Sequence, residues 1–526
     1  MTPEGPTEMA LKLQTLWPEI VLMLAAFTTM IMGISGSQFV RRATFYISGG
    51  ALILATLLAA LSPAMGIVQL SPIALYIKIA VGVIGLILLF VVVEMHDEQT
   101  DPNRDDKFDP SDTSRGEFYG FFLLSLAGAM LCAGADNLVW LFLSLELTSL
   151  PLYVMVVTSR QSPKASEAGV KYFFLGAFAT AIFLYGFAML YGAAGTTDFA
   201  AMQTVFVEEG LNTFAIVGLV FSIIGLCFKV AAFPMHFYLA DVYQGASLPV
   251  TNFVAFTPKI AGFAALILIM DAAGWPGVEY APSVIYLLAG IAVITMFTGN
   301  ILALLQTSVK RVLAYSWMAH SGYMILGLIA GPVLIAEGAW PARDGIAAIL
   351  FYLVAYGAMN LGPFAVLGLL KRQGEEAETF DDLKGLAGRR PAMAAVMAIC
   401  VLSLAGIPPL VGFWGKVFLF GAAISAGFAW LAVLALIASV IGAFYYLRII
   451  KVCYLDAPTD SPPEMAHLPW RASAAATSAI AVVALSLLAA PLISASQNAV
   501  TGFLTAERAA PVQAESLEEP STAHAE

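Results

Sequence analysis

Runs of about twenty apolar residues recur along the whole chain, and few structures accommodate that pattern. A helix of that length crosses a hydrocarbon layer of ~30 Å, where every backbone N–H and C=O must find a partner within the protein. With 60% of the 526 residues hydrophobic and only 12% charged, an array of soluble domains is excluded. Apolar runs set against polar breaks predict about fourteen spans, the first at 17–36 and the last at 472–497. The expected fold is therefore an all-α, polytopic membrane protein.

The breaks divide the chain into three N-terminal transmembrane helices within 1–93, an acidic loop at 94–117 and five spans within 118–270. Five more spans follow within 282–454, then a C-terminal span at 472–497 and a flexible polar tail at 498–526. The start, Met1 to Gly5, lacks the basic stretch of a secretory signal, so the first helix is expected to remain in the mature protein. An even number of spans places both termini on one face. Lys and Arg counts orient such a chain: the terminal face holds only Lys12, Arg343 and Arg508, against eighteen basic residues in the opposite loops. The termini are thus expected outside the cytoplasm. The fourth span leaves the cytoplasmic face and the ninth leaves the other, so the two five-helix units form an inverted repeat.

Composition narrows the function as well. With 25 basic against 36 acidic residues and no basic cluster, nucleic acid is not an expected partner. The four cysteines, Cys132, Cys227, Cys400 and Cys453, stand far apart without a CxxC pair, and they read as packing residues rather than ligands of zinc or an iron–sulfur cluster. Five histidines are too few and scattered for paired haem ligands. The expectation is a chain with no redox centre and no metal of its own.

Four lysines remain inside predicted spans: Lys78, Lys229, Lys259 and Lys416. A lysine at mid-membrane costs roughly 2.5 to 3.5 kcal/mol on insertion scales, so each requires water, a carboxylate or a neutral amine. Lys78 lies early enough in its span for its stem to carry the amine back to the interface. Glu146 has no such escape and is the one carboxylate expected at matching depth. Lys229 precedes Pro234, Lys259 follows Pro258, and Lys416 follows Pro408-Pro409. Proline frees helix carbonyls, which membranes tolerate where the opened backbone lines a hydrated cavity or meets neighbours; the plainer alternative is a simple kink beside a snorkelling lysine. His320 extends this set, with Ser316 and Tyr323 on its helical face, although a lone satisfied histidine fits equally well. His236, nearer a helix end, reads as structural, and Glu146 alone could be a packing pair.

Several segments resemble a known family. Leu145-Glu-Leu-Thr-Ser-Leu-Pro151, Phe228-Lys-Val-Ala-Ala-Phe-Pro-Met-His236, Val309-Lys-Arg-Val-Leu-Ala-Tyr-Ser316 and Gly406-Ile-Pro-Pro-Leu-Val-Gly-Phe-Trp-Gly-Lys416 are similar to the antiporter-like subunits of respiratory complex I, over roughly residues 110–455. Lysine rather than glutamate at 416 makes the chain most similar to the N-type branch. The resemblance implies a subunit of NADH:quinone oxidoreductase in which Glu146 pairs with Lys229, Lys259 continues a central hydrophilic axis with His320, and Lys416 ends it near an exit. It implies that FMN, iron–sulfur clusters, NADH and quinone reside in partner subunits, with a neighbouring M-type subunit, small K- and J-type subunits and lipid around this chain in a bacterial inner membrane. The 94–117 loop is longer than the family pattern, and its role stays open.

A buried ammonium is favoured by a nearby carboxylate and disfavoured by desolvation. The distance from Glu146 therefore governs whether Lys229 keeps its proton, and a signal that changes this distance would send the proton through Lys259 towards Lys416. Two rivals use the same residues: a monovalent cation/proton antiporter subunit, and a passive scaffold whose charges only fix helix packing.

Overall fold

The computed structural model describes residues 12–63, 70–92, 114–160, 162–275, 282–333, 343–372 and 375–518. Among them, eleven helices are long and apolar enough to cross a membrane, and four shorter apolar helices accompany them. The chain is a multi-pass membrane protein. All but the last four residues of the 94–117 loop lie outside the described residues.

The first three helices, α1 (Trp17–Gly33), α2 (Gln38–Leu61) and α3 (Pro72–Val92), pack with α4 (Ser114–Ala133). Helices α5 (Leu138–Thr158) and α6 (Pro163–Ala194) lead through a surface helix, α7 (Phe199–Glu209), which the apolar pattern does not reveal, to α8 (Thr213–Leu226). The predicted seventh span is interrupted here: the chain leaves helical geometry after Leu226 and resumes in α9 (Leu239–Gly245). Next come α10 (Leu248–Ala272), α11 (Pro282–Leu304), α12 (Val309–Ala330) and α13 (Gly345–Leu369). Two one-turn helices, α14 (Phe380–Leu383) and α15 (Leu386–Arg389), precede a second interrupted span made of α16 (Pro391–Ala405) and α17 (Val411–Ser425). Helices α18 (Ala429–Tyr454), α19 (Pro469–Leu487) and α20 (Ala489–Glu518) complete the chain.

Burial sorts these helices into layers. Every residue of α10 is buried, as are nearly all of α12 and α13, because helices that are apolar all round belong in the middle of a bundle. The helices α2, α6 and α18 instead turn large apolar residues outward, among them Phe39, Phe174 and Leu436, as lipid-facing surfaces do. Small residues allow the closest approaches. A Cβ on Gly186 of α6 would stand 2.5 Å from the Ser222 nitrogen of α8, so only glycine permits that contact.

Three short strands interrupt the otherwise helical fold. In β1 (Leu370–Arg372), Lys371 pairs with Glu376 of β2 (Glu375–Glu376) and with Glu464 of β3 (Glu464–Met465), both antiparallel. Glu376 then reaches into the helical body, where it meets Arg160 and accepts from Lys310 Nζ at 3.0 Å and from the Leu248 N–H at 3.1 Å. The ends of α5, α10 and α12 are thereby tied at one face. Lys12 lies at the opposite end of α5, paired with Asp136 at 3.3 Å.

Two expectations are corrected. The final span stops at Leu487, and the predicted flexible tail from 498 is helical to Glu518. Pro491 is the reason: it cannot donate to a carbonyl one turn back, but the first turn of a new helix accepts it. The first turns of α20 pack on α3 and α13, burying Val500, Phe503 and Leu504. Lys78, expected to snorkel, is instead buried against Glu19 of α1 at 2.8 Å. Glu19 sits at a helix start, where an acidic residue reads as a cap, so the apolar pattern conceals it.

Candidate functional site

The helix α5 begins at Asn137, whose side chain accepts the Trp140 N–H at 2.8 Å, and this cap sets the register that points Glu146 towards α6 and α8. Glu146 Oε1 accepts from Thr180 Oγ1 at 2.9 Å and from Lys229 Nζ at 3.4 Å. Lys229 Nζ also donates to Ser149 Oγ at 2.6 Å, one helical turn below Glu146. The lysine is buried, whereas Glu146 keeps 20% of its side chain exposed beside the outward-facing Leu143 and Leu150.

Lys229 occupies the interruption itself. The Tyr238 hydroxyl donates to the Phe228 carbonyl at 2.8 Å, Ser321 Oγ donates to the Val230 carbonyl, and the Phe233 N–H donates to Thr295 Oγ1 at 3.0 Å. Neighbouring helices therefore satisfy the opened backbone, as hydrocarbon demands. A Cβ on Gly262 of α10 would lie 2.9 Å from Lys229 Cβ, which seats the central helix directly against the interruption.

Lys259 of α10 reaches α12 and α13. Its Nζ donates to the Trp317 carbonyl at 2.9 Å and lies 4.6 Å and 4.1 Å from the ring centres of Trp317 and Tyr356. Aromatic faces attract a cation without supplying a counter-charge. One turn along α12 from Trp317, His320 Nδ1 bonds the Tyr352 hydroxyl at 2.7 Å and Nε2 bonds the Tyr446 hydroxyl at 2.9 Å. Tyr446 in turn bonds Ser316. The histidine is thus fully engaged, and Ser316 joins it through Tyr446 rather than directly. Tyr323 offers its ring edge to His320, with its hydroxyl accepting from Asn300 Nδ2 at 3.0 Å.

Lys416 lies in α17, just beyond the second interruption. Its Nζ donates to the Leu404 and Ala405 carbonyls at 3.2 and 2.8 Å and to Ser439 Oγ at 2.8 Å. Those carbonyls are the ones left free where α16 stops, so the negative end of a broken helix receives the ammonium. Gly406, at φ +84°, makes the turn, and a Cβ there would stand 2.9 Å from Lys416 Cδ.

The five expected site residues therefore follow one another across the middle of the bundle through shared neighbours, with direct contact only between Glu146 and Lys229. His236 stacks on Phe237 at 4.5 Å and takes no part. Ser149, Thr180, Tyr352, Tyr446 and Ser439 join the site although sequence reasoning passed over them. Ser149 was within reach, since it follows Glu146 at helical spacing; the others carry no signal that separates them from ordinary packing hydroxyls.

The family described as NADH:quinone oxidoreductase/Mrp antiporter, TM, matches residues 135–442, which contain both interruptions and all five residues. A protein of Alkalilimnicola ehrlichii named NADH-quinone oxidoreductase subunit N is 35% identical, over 94% of this chain and 98% of that protein. The chain belongs to the subunit N family. A subunit N of Herminiimonas arsenicoxydans is 36% identical over 92% of this chain and 97% of its own length. Among solved structures, a chain of respiratory complex I from Thermus thermophilus with bound aureothin superposes at a TM-score of 0.73 and 29% identity, covering 91% of this chain and 98% of that one. A chain of the Mrp complex from Dietzia shares the fold alone, at TM-score 0.77 and 20% identity over 93% and 97% of the two chains. These subunit N relatives thus match well beyond the segment 135–442, over 94% and 92% of this chain.

Proposed function

We infer that this chain is a proton-translocating membrane-arm subunit of NADH:quinone oxidoreductase, moving H⁺ across the membrane while partner subunits transfer electrons from NADH to quinone. The observation that carries this reading is the contact of Glu146 and Ser149 with Lys229 inside an interrupted helix. An ammonium held by one carboxylate and one hydroxyl in a low-dielectric interior is sensitive to small changes in that distance. Separation favours the neutral amine and release of a proton; approach favours its capture.

In this mechanism the proton passes from Lys229 by way of Lys259 and His320 to the amine of Lys416, which donates hydrogen bonds to the free carbonyls of α16 and to Ser439. Tyr352 and Tyr446 serve as hydroxyl relays, because a hydroxyl both donates and accepts. The two interrupted spans are read as the fourth helices of two inverted five-helix units, and counting each once gives a reading of fourteen crossings. FMN, the iron–sulfur clusters, NADH and quinone belong to partner subunits. The partly exposed face around Glu146, Leu143 and Leu150 suits a neighbouring membrane subunit, with M-type and small K- and J-type subunits as the expected company. The basic end of the bundle, with Arg160 and Lys310, faces the bacterial cytoplasm in this reading, and both termini lie on the periplasmic side.

The test is transport by the assembled complex in vesicles. A Lys229→Met complex with normal NADH oxidation and a lower number of protons moved per electron supports the reading. The same complex pumping at the wild-type ratio overturns it, and transport that requires Na⁺ or K⁺ in exchange points to the antiporter instead.

A further inference from the structure

Glu19 and Lys78 stand outside the axis described above. They bridge α1 and α3 at 2.8 Å with both side chains 1% exposed, and Lys78 Nζ also donates to the Thr15 carbonyl at 2.9 Å. Packing alone is a poor reason for such a pair, because a buried ion pair commonly stabilises no better than apolar side chains of the same size. Ionisable groups within membrane helices more often serve transport.

Two features around the pair point to exchange with the medium. On the carboxylate side, Glu19 Oε2 is buried without a hydrogen-bond partner among the described residues, and Glu19 lines a cavity of about 300 Å³ between α1, α4 and α5. Its lining is almost wholly apolar, with Leu16, Met23, Trp140 and Leu147 supplying much of it, and Glu19 and Ser144 are the polar residues that reach it. On the ammonium side, Lys78 Nζ approaches to 4.0 Å of the point where a Gly134 Cβ would stand. Gly134 is exposed on the turn between α4 and α5 and has no side chain of its own to stand between the buried amine and the surface. Lys12 and Asp136, paired at 3.3 Å and exposed, share this surface.

We propose that Glu19 and Lys78 form a second proton-exchange site, reached beneath Gly134 from the membrane face that carries Lys12. A proton from water adds to the Glu19 carboxylate, converting the ion pair to a carboxylic acid beside an ammonium. The ammonium returns a proton to water, and transfer of the remaining acid proton to the amine restores the ion pair. One proton is taken up and one released, with no oxidant or reductant involved. The inference rests on the reading of the chain as a proton-translocating subunit.

Difference infrared spectroscopy of the assembled complex in vesicles tests this, with pH stepped only on the face that carries Lys12. The expected result is a carboxyl band that follows the step in the wild type and is lost in Glu19→Gln. Where the single variant fails to assemble, Glu19→Gln/Lys78→Met provides the baseline, since it leaves no unpaired charge. Gly134→Leu should slow the response several-fold: its Cβ meets Lys78 Cε at an ordinary 3.9 Å, and the remaining side chain covers the amine. Absence of any Glu19-dependent band, or an equal response in Gly134→Leu and wild type, overturns the proposal. The two readings fail separately, because Lys229→Met is judged by transport and leaves the Glu19 band in place.

Discussion

Lys229 and Lys416 are held by opposite means: Lys229 Nζ lies 3.4 Å from a carboxylate oxygen of Glu146, whereas Lys416 Nζ lies 2.8 Å from the Ala405 carbonyl at the end of a broken helix. A full negative charge governs the first lysine and backbone dipoles govern the second. In the proposed mechanism, movement of Glu146 would change the surroundings of Lys229 directly and would leave the contacts of Lys416 untouched. The pair is asymmetric, as a directional carrier requires.

Removing the charge of Glu146 while keeping its shape should leave Lys229 with neutral hydrogen-bond acceptors and no counter-charge. Glu146→Gln is expected to slow proton transfer through this chain by on the order of 10²-fold, the scale of a displaced acid–base group, with assembly intact. Proton release measured after single turnovers checks this, and an unchanged rate would remove Glu146 from the mechanism.

Tyr446 joins His320 to Ser316 by one hydroxyl. Tyr446→Phe keeps the ring and deletes that link, leaving the buried Nε2 of His320 unpartnered at a cost of about 1–3 kcal/mol. Slower pumping with normal subunit content in the membrane is the expected result. Normal pumping would show that the proton bypasses this hydroxyl.

At Gly406 the backbone is left-handed, with φ +84°, and alanine there costs about 1–2 kcal/mol in strain. Its Cβ would also press on Lys416 Cδ at 2.9 Å. Gly406→Ala should therefore displace Lys416 and lower proton output. Gly192, where a Cβ meets nothing within 4 Å, is the matched control, and Gly192→Ala should pump normally.

Asp344 caps α13, its Oδ1 accepting the Ala347 N–H at 2.9 Å, and burial pushes its carboxyl up from 3.8 to about 7. The folded chain thus binds this proton more tightly than the unfolded chain does. Its contribution to stability is complete below the ordinary value, and it declines as pH rises from about 4 to about 7. Asp344→Asn retains a capping side chain and should flatten that part of the profile. Thermal unfolding of the solubilised complex across this range decides the matter; identical slopes in the two proteins would refute the assignment.

Much of the fold was legible because hydrocarbon imposes a simple code. Span length, the interruptions at Pro234 and Pro408-Pro409, and the cost of Lys229, Lys259 and Lys416 at depth all follow from single-residue chemistry. The Lys78 expectation failed for a different reason: its partner, Glu19, lies on another helix 59 residues earlier, and nothing local links the two. The surface helix α7 and the continuation of α20 were hidden as well, since neither is a full apolar run.

By itself, then, the sequence determined that the chain spans a membrane many times and that Glu146, Lys229, Lys259 and Lys416 lie within its spans, because the transfer cost of a charge rises with depth in hydrocarbon. Only the tertiary structure decided which groups touch. Glu146 meets Lys229 and Glu19 meets Lys78 through the packing of helices remote in sequence, and such contacts depend on crossing geometry and on small residues such as Gly262, whose meaning appears only when the neighbouring helix is in place.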